Sequence, residues 1–394
     1  MRIRSLALLG LAALLPYESA AQSLAWSGQI RPRTEWRDPM PGGEASAFTS
    51  MRTRLTLEAR PDEGVTLVFQ PQDVRTWGVE THPLFDFAAD ALDLHQGYVR
   101  LDGVVAPWLT ATVGRMETNF GGQRLVGAVG WTPQGQSFDG IRLDARGQRV
   151  TSTLVAWQIN DSDAPGISTD RNLTGIYNTI SEVGSGSLDL YWLWDRVRQT
   201  TTSDEHLFGA RYAFDGAVQG RVEATRASGS RGGLDVRAYM VGARVGTELV
   251  EDLLNGTLWF DLLSGDDPST PQTEVFNTFF GTNHKFYGLA DVFLNLPAHT
   301  AGAGLRDAAM KFRIRAADRT SVNVELHAFR VGRQGVLNES RFGEEIDAFL
   351  THRYSDHVTL TFGTSRVFAG PALAEAGRLF ADLSWAYVML DAAF

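Results

Sequence analysis

Segments of about ten residues, each alternating apolar and polar side chains, follow one another through almost the whole chain. A period of two places successive side chains on opposite faces of an extended strand. Residues 51–59 show it plainly. Met51, Thr53, Leu55, Leu57 and Ala59 share one face, while Arg52, Arg54, Thr56 and Glu58 share the other. The same holds at 308–316, where Ala308, Met310, Phe312 and Ile314 oppose Lys311, Arg313 and Arg315. Eighteen such segments can be marked, the first at 24–35 and the last at 379–394. Short turns such as Arg60-Pro61-Asp62-Glu63-Gly64 join some of them, and longer polar stretches at 118–137 and 265–304 join others. Segments 109–117 and 236–245 do not alternate cleanly, so their faces stay open. No amphipathic helix of ordinary length competes and no linker intervenes, which predicts one domain.

The first residues read differently. Arg2 and Arg4 precede ten apolar residues (6–15), Pro16 breaks the run, and Ser19-Ala20-Ala21 supplies small residues for cleavage. This pattern predicts a secretory signal peptide over residues 1–21. Ten apolar residues are too few for a bilayer, which takes about 20, and no later stretch comes closer. An exported chain of this kind is either soluble or held in a membrane by strands. The C-terminus favours strands: the final segment alternates and closes on Phe394, with Ala386, Val388, Leu390, Ala392 and Phe394 on one face. A terminal Phe on such a strand resembles the recognition strand of bacterial outer-membrane proteins. The expectation is an all-β, up-and-down antiparallel transmembrane barrel of 16–18 strands over residues 22–394, monomeric, in the bacterial outer membrane.

Composition narrows function by exclusion. Without cysteine there are no disulfides, thiolate metal sites or cysteine nucleophiles. A net charge of −10 argues against nucleic acid as a partner. Lys285 and Lys311 are the only lysines, so almost all positive charge is arginine. In a spanning barrel the apolar set must face lipid, because a charge there costs about 2–4 kcal/mol at mid-depth. The polar set then faces the lumen. It contains Arg31, Arg33, Arg52, Arg54, Arg100, Arg142, Arg211, Arg221, Lys311, Arg313 and Arg315. Carboxylates such as Glu35, Glu58, Asp189, Glu223, Asp307 and Glu325 share that face. The basic residues concentrate on the first two strands and along 311–315, and barrel closure brings the first strand beside the last. Rings of Arg and Lys are a usual means of selecting anions; the bland alternative is that these arginines pair with the carboxylates and stiffen the wall.

Catalysis finds little support. There is no Gly-x-Ser-x-Gly elbow and no His-Glu-x-x-His, and the His352/His357 spacing suits zinc poorly. No catalytic residue, metal or cofactor is expected, and the Asp266-Asp267 pair beside Gly265 and Pro268 reads as a turn.

Several blocks together resemble the alginate-export family of outer-membrane barrels. They are Leu94-His95-Gln96-Gly97-Tyr98-Val99, Gly114-Arg115-Met116, Gly121-Gly122-Gln123-Arg124-Leu125-Val126-Gly127, Trp131 and Ser137-Phe138-Asp139-Gly140. Ser264-Gly265-Asp266-Asp267-Pro268, Asn283-His284-Lys285-Phe286-Tyr287-Gly288 and Gly304-Leu305-Arg306-Asp307 follow in order. Met116 and Gln136 depart from the pattern, which has a glutamine and a basic residue there. The resemblance implies an eighteen-stranded monomer whose basic pore passes an anionic polysaccharide outward, with a periplasmic synthesis or export partner. Read physically, the same blocks suggest an ion-paired cluster of Arg115, Arg124 and Asp139 holding a loop over the opening, and an interfacial aromatic belt of Trp108, Trp131 and Phe138. The alternatives are an uptake porin for small organic acids and, from another class, a barrel hydrolase.

Overall fold

A computed structural model describes residues 23–38, 44–79, 92–163, 169–199 and 201–394. The expected signal peptide at 1–21 lies outside the described residues. Eighteen strands are described. The first six are β1 (Ser23–Asp38), β2 (Ser46–Arg60), β3 (Val65–Thr76), β4 (Leu92–Asp102), β5 (Leu109–Met116) and β6 (Phe138–Arg146). Then come β7 (Val150–Asn160), β8 (Asp170–Val183), β9 (Gly186–Arg198), β10 (Ser203–Phe214), β11 (Val218–Arg231) and β12 (Leu234–Val250). The last are β13 (Leu254–Leu263), β14 (Leu305–Ala317), β15 (Thr320–Val331), β16 (Arg341–Arg353), β17 (Val358–Ala369) and β18 (Leu383–Ala393).

Every strand pairs antiparallel with its sequence neighbour, and β1 also pairs with β18, so the sheet closes. Closure is what hydrocarbon demands, since an open edge would expose N–H and C=O groups at several kcal/mol each. The terminal residue completes the seam. Gly28 N donates to Phe394 O at 2.9 Å and Phe394 N donates to Gly28 O at 3.1 Å. The Phe394 ring lies where a Cβ on residue 28 would stand, at 2.3 Å, so only glycine admits it there. Trp26 meets the same ring edge-on at 5.4 Å.

The outer face exposes Phe208, Val222, Leu258, Met310, Phe362 and Val388, as the alternation requires. One end of the barrel carries Ser23, Phe394 and tight turns such as those at 61–64, 184–185 and 318–319; the other carries the long connections. Two of these, 117–137 and 264–304, fold back into the barrel and meet each other. Phe280 N donates to Leu125 O and Gly127 N to Phe280 O, both at 3.0 Å.

That inward folding reverses the simple face rule in the long-loop half. Inward positions there are themselves apolar, because they pack on loop side chains. Phe120 of the first loop stacks on Tyr177 at 4.7 Å, Phe138 stacks on Trp157 at 4.3 Å, and Phe293 of the second loop meets Phe329 at 4.9 Å. The expected aromatic belt is corrected accordingly. Phe138 is buried inside and Trp131 stacks on His284 at 4.3 Å, while Trp108 is exposed at a tight turn.

Candidate pore constriction

The interior is divided by which wall the two loops lean on. On β1 and β2 the arginines meet loop carbonyls. Arg31 donates to the oxygens of Gly130, Trp131 and Thr132 at 2.6, 3.1 and 3.0 Å. Arg33 donates to Trp131 O at 2.6 Å and to Glu35 at 2.8 Å, its guanidinium 3.9 Å from the Trp131 ring. Arg52 donates to Gln29 at 2.7 Å, and Arg54 reaches Gln72 at 2.7 Å, Glu117 at 3.2 Å and Gln134 O at 3.1 Å. Five N–H donors in a rigid fork suit arginine to gathering several carbonyls at once. This wall clamps the loop at 117–137.

The opposite wall is arranged differently. Arg221 on β11 stands directly across from Arg244 on β12, which in turn stands across from Trp259 on β13. Three cations surround that indole: Arg221 at 5.1 Å, Arg244 at 5.5 Å and Lys311 at 4.7 Å. Arg221 is 1% exposed, yet its Nε and Nη2 have no hydrogen-bond partner, and Glu223 comes no nearer than 3.8 Å. Its Nη1 sits where a Cβ on Gly122 would be, at 2.5 Å, so the glycine of the first loop makes room for it. Like charges across strands repel, and an unpaired buried charge costs several kcal/mol. Below these residues lies a cavity of about 550 Å³, lined by Arg244, Trp259, Lys311, Thr257, Gln219 and Ser187.

Two further basic groups come from the loops. Lys285 sits in a 3₁₀ turn (Asn283–Lys285) beside this row. Burial, then the charges of Arg244, Arg221, Arg211 and Arg124, hold its amine below the ordinary lysine range. Arg124 is fully buried and forks onto Asp261 at 2.9 and 3.0 Å, with Tyr287 Oη at 2.7 Å. Burial alone would lower its pKa, but Asp261, Tyr287 and Glu223 outweigh that and raise it. Arg124 is therefore the pin that fastens the loop, not a free cation.

A third wall, on β14–β16, is acidic. His327 Nδ1 lies 2.9 Å from Asp307, Lys311 Nζ contacts Glu325, and Ser365 contacts Asp347. Glu325, His327 and Asp347 each bring one donor atom within 4.8 Å of the others, the one group among the described residues that could hold a metal ion. The lysine, serine and imidazole contacts already engage those atoms. The backbone N–H of Ala290 donates to Glu345 at 2.7 Å, so this wall grips the second loop.

The sequence-predicted residues thus divide. All eleven predicted pore residues stand on inward positions, fixed by the strand registers. Arg31, Arg33, Arg52 and Arg54 are held by the loop. Arg100 and Arg142 pair with Asp102 at 3.0 Å and Asp144 at 2.8 Å, and Arg211 pairs with Asp189 at 2.6 Å. Arg315 reaches Asp252 at 3.4 Å near the tight-turn end, and Arg313 is exposed nearby. Arg221 and Lys311 join the cationic row. The predicted cluster of Arg115, Arg124 and Asp139 is not one group. Arg115 and Asp139 pair at 2.6 Å on the outer face, on the same side as exposed Val113 and Ile141, whereas Arg124 is inside. The reason is parity: residues 115 and 139 share a register with outward neighbours. Reading the sequence missed Arg244, because 236–245 carries Val236, Ala238 and Met240 inward against the second loop and so shows no clean alternation. It also did not single out Lys285, which no strand pattern could place.

The barrel resembles several solved outer-membrane proteins. OccAB4 of Acinetobacter baumannii superposes with a TM-score of 0.67 at 10% identity, over 95% of this chain and 99% of that one. OccK11 (OpdR) of Pseudomonas aeruginosa gives 0.65 at 11%, covering 94% and 96%. OprD of the same organism gives 0.62 at 12%, covering 94% and 93%. At these identities the likeness is one of fold. No curated protein matches the sequence. The alginate export family matches over residues 37–386, from the end of β1 to the start of β18. The chain is an outer-membrane channel and not an enzyme, and it belongs to the alginate export family.

Proposed function

We propose that this channel passes anionic solutes, and that the row Arg221–Arg244–Lys311 with Lys285 is its selective surface. The observation that carries the reading is the cavity of about 550 Å³ lined by Arg244 and Lys311, with Arg221, a buried guanidinium whose Nε and Nη2 are unpartnered, directly across the strand pair from Arg244. An anion entering that cavity meets the Arg244 guanidinium and the Lys311 ammonium, and charge-assisted bonds of this kind are about twice as strong as neutral ones. Arg313, exposed near the tight-turn end, carries positive charge toward the row, while Arg100, Arg142 and Arg315 are held by Asp102, Asp144 and Asp252. Arg31, Arg33, Arg52 and Arg54 set the aperture by holding the loop.

An anionic polysaccharide such as alginate, moving outward from a periplasmic synthesis or export partner, fits the family membership. Uptake of small organic acids is favoured by a different observation: the cavity of about 550 Å³ suits a small solute better than a chain of sugars. Planar-bilayer recording separates the two. A reversal potential set by chloride, together with current block by uronate oligomers, supports polysaccharide passage. Block by monomeric acids alone supports the second reading, and a cation-set reversal potential defeats both.

A further inference from the structure

The outer face holds a feature that the channel reading does not use. On β10–β12, an outward groove of about 730 Å³ is floored by Ala210 and Ala224 and walled by Phe208 and Tyr239. Arg226 and Arg237 stand at its head. Both arginines are exposed, and neither makes an ion pair or side-chain hydrogen bond among the described residues. Arg226 lies opposite Tyr239, two residues from Arg237 on the adjacent strand. Such diagonal neighbours are roughly 7–8 Å apart, close enough to share one phosphate.

Several other outward arginines near the long-loop rim are engaged. Arg115 pairs with Asp139, Arg330 with Glu344, and Arg366 with Asp382, while Arg196 lies over Trp194 at 5.8 Å. The nearest outward acids, Asp204 and Asp235, stand further toward the rim; Asp204 takes a bond from Trp194 at 2.5 Å. Arg226 lies eight residues from the start of β11. At about 3.3 Å per residue and a tilt near 40°, that is roughly 20 Å above the tight-turn end. An apolar band about 25 Å tall counted from that end reaches just past Arg226 and ends at about the level of Arg237, which lies across from Ser228. Beside the groove, Trp192 and Trp194 stack with His206 at 5.9 and 5.7 Å, an aromatic shelf at headgroup level.

We propose that the groove seats an acyl chain of a phosphorylated, acylated glycolipid of the outer leaflet, with Arg226 and Arg237 gripping its phosphate and the aromatic shelf lying against its sugar. A bare apolar groove takes any lipid tail; two unpaired arginines at its head select an anionic headgroup.

The test uses the full chain, folded in detergent and stripped of lipid, then examined by native mass spectrometry after incubation with lipid A. Retention of one lipid A is expected, with a loss of tenfold or more in Arg226→Gln/Arg237→Gln and retention within threefold in Arg226→Lys/Arg237→Lys. The rim pair variant Arg330→Gln/Arg366→Gln should bind as the parent does. Dephosphorylated lipid A should fall to the level of the double Gln variant, and inorganic phosphate alone should not compete at equal concentration. Equal binding of the dephosphorylated lipid, undiminished binding by the double Gln variant, or equal loss in the rim variant overturns the proposal. Gel mobility before and after heating reports folding of each variant; should the Gln variant not fold, the phosphorylated-to-dephosphorylated ratio in the parent decides.

Discussion

Two groups of arginines face each other inside this barrel, and they differ in what their guanidinium groups touch. On β1 and β2, Arg31, Arg33, Arg52 and Arg54 donate to carbonyls of residues 130–134 and to the side chains of Gln29, Glu35, Gln72 and Glu117. On β11 and β12, Arg221 and Arg244 face each other across a row, and Arg221 keeps unpartnered donors. The difference teaches that inward direction alone does not make an arginine available to solute. A guanidinium that already donates to two or three oxygens is structural, whatever face it occupies. One that the fold leaves with free N–H donors is held at a cost and has capacity for a ligand.

The sharpest break in that comparison is charge reversal on each side. Arg221→Glu with Arg244→Glu is expected to lower the anion-to-cation permeability ratio by about tenfold or more, read from the reversal potential in a salt gradient. Arg52→Glu with Arg313→Glu should shift the potential toward cations by a smaller margin, because Arg52 is shielded by loop carbonyls. A larger shift from that second pair would reverse the ranking of the two walls.

Next in size is the pin. Arg124→Met removes the charged partner of Asp261 and leaves that buried carboxylate only the Trp259 indole N–H at 2.8 Å, which is expected to cost about 3–5 kcal/mol. Urea unfolding followed by heat-modified gel mobility measures it; an unchanged midpoint would mean that the Arg124–Asp261 fork does not fasten the loop.

Releasing the clamp should act on aperture and leave selectivity alone. Arg31→Ala with Arg52→Ala is expected to raise single-channel conductance by about twofold and make it noisier, with the reversal potential unmoved. A moved potential with unchanged conductance would place the selective surface on β1 and β2 instead.

The smallest effect is a pH dependence. Lys285 is held below the ordinary lysine range by burial and by neighbouring arginines, so it loses its charge as pH rises before an exposed lysine does. Anion preference should therefore weaken on the alkaline side, below the pH at which free lysine titrates, and Lys285→Met should abolish that step. A step that persists in Lys285→Met would assign it to another group.

Much of this was legible in advance. Alternation at 51–59 and 308–316 placed Arg52, Arg54, Lys311, Arg313 and Arg315 on the inward face, where the strand registers have them. Phe394 closing a strand pointed to the β1–β18 seam. The failures came where loops enter the barrel. Val236, Ala238 and Met240 are inward and apolar because the second loop covers them, so Arg244 two positions further on gave no signal of its face. Arg115 and Arg124 lie close in sequence, yet one ends a strand facing outward and the other enters the interior, a separation that no spacing encodes.

By itself the sequence determined the barrel, because a two-residue period under the demand for complete backbone hydrogen bonding in hydrocarbon has one closed solution. Only the tertiary structure decided which inward arginines are spent on loop carbonyls and which stand unpaired. That outcome depends on where residues 117–137 and 264–304 come to rest, and a long irregular segment is placed by contacts distant in sequence rather than by any local pattern.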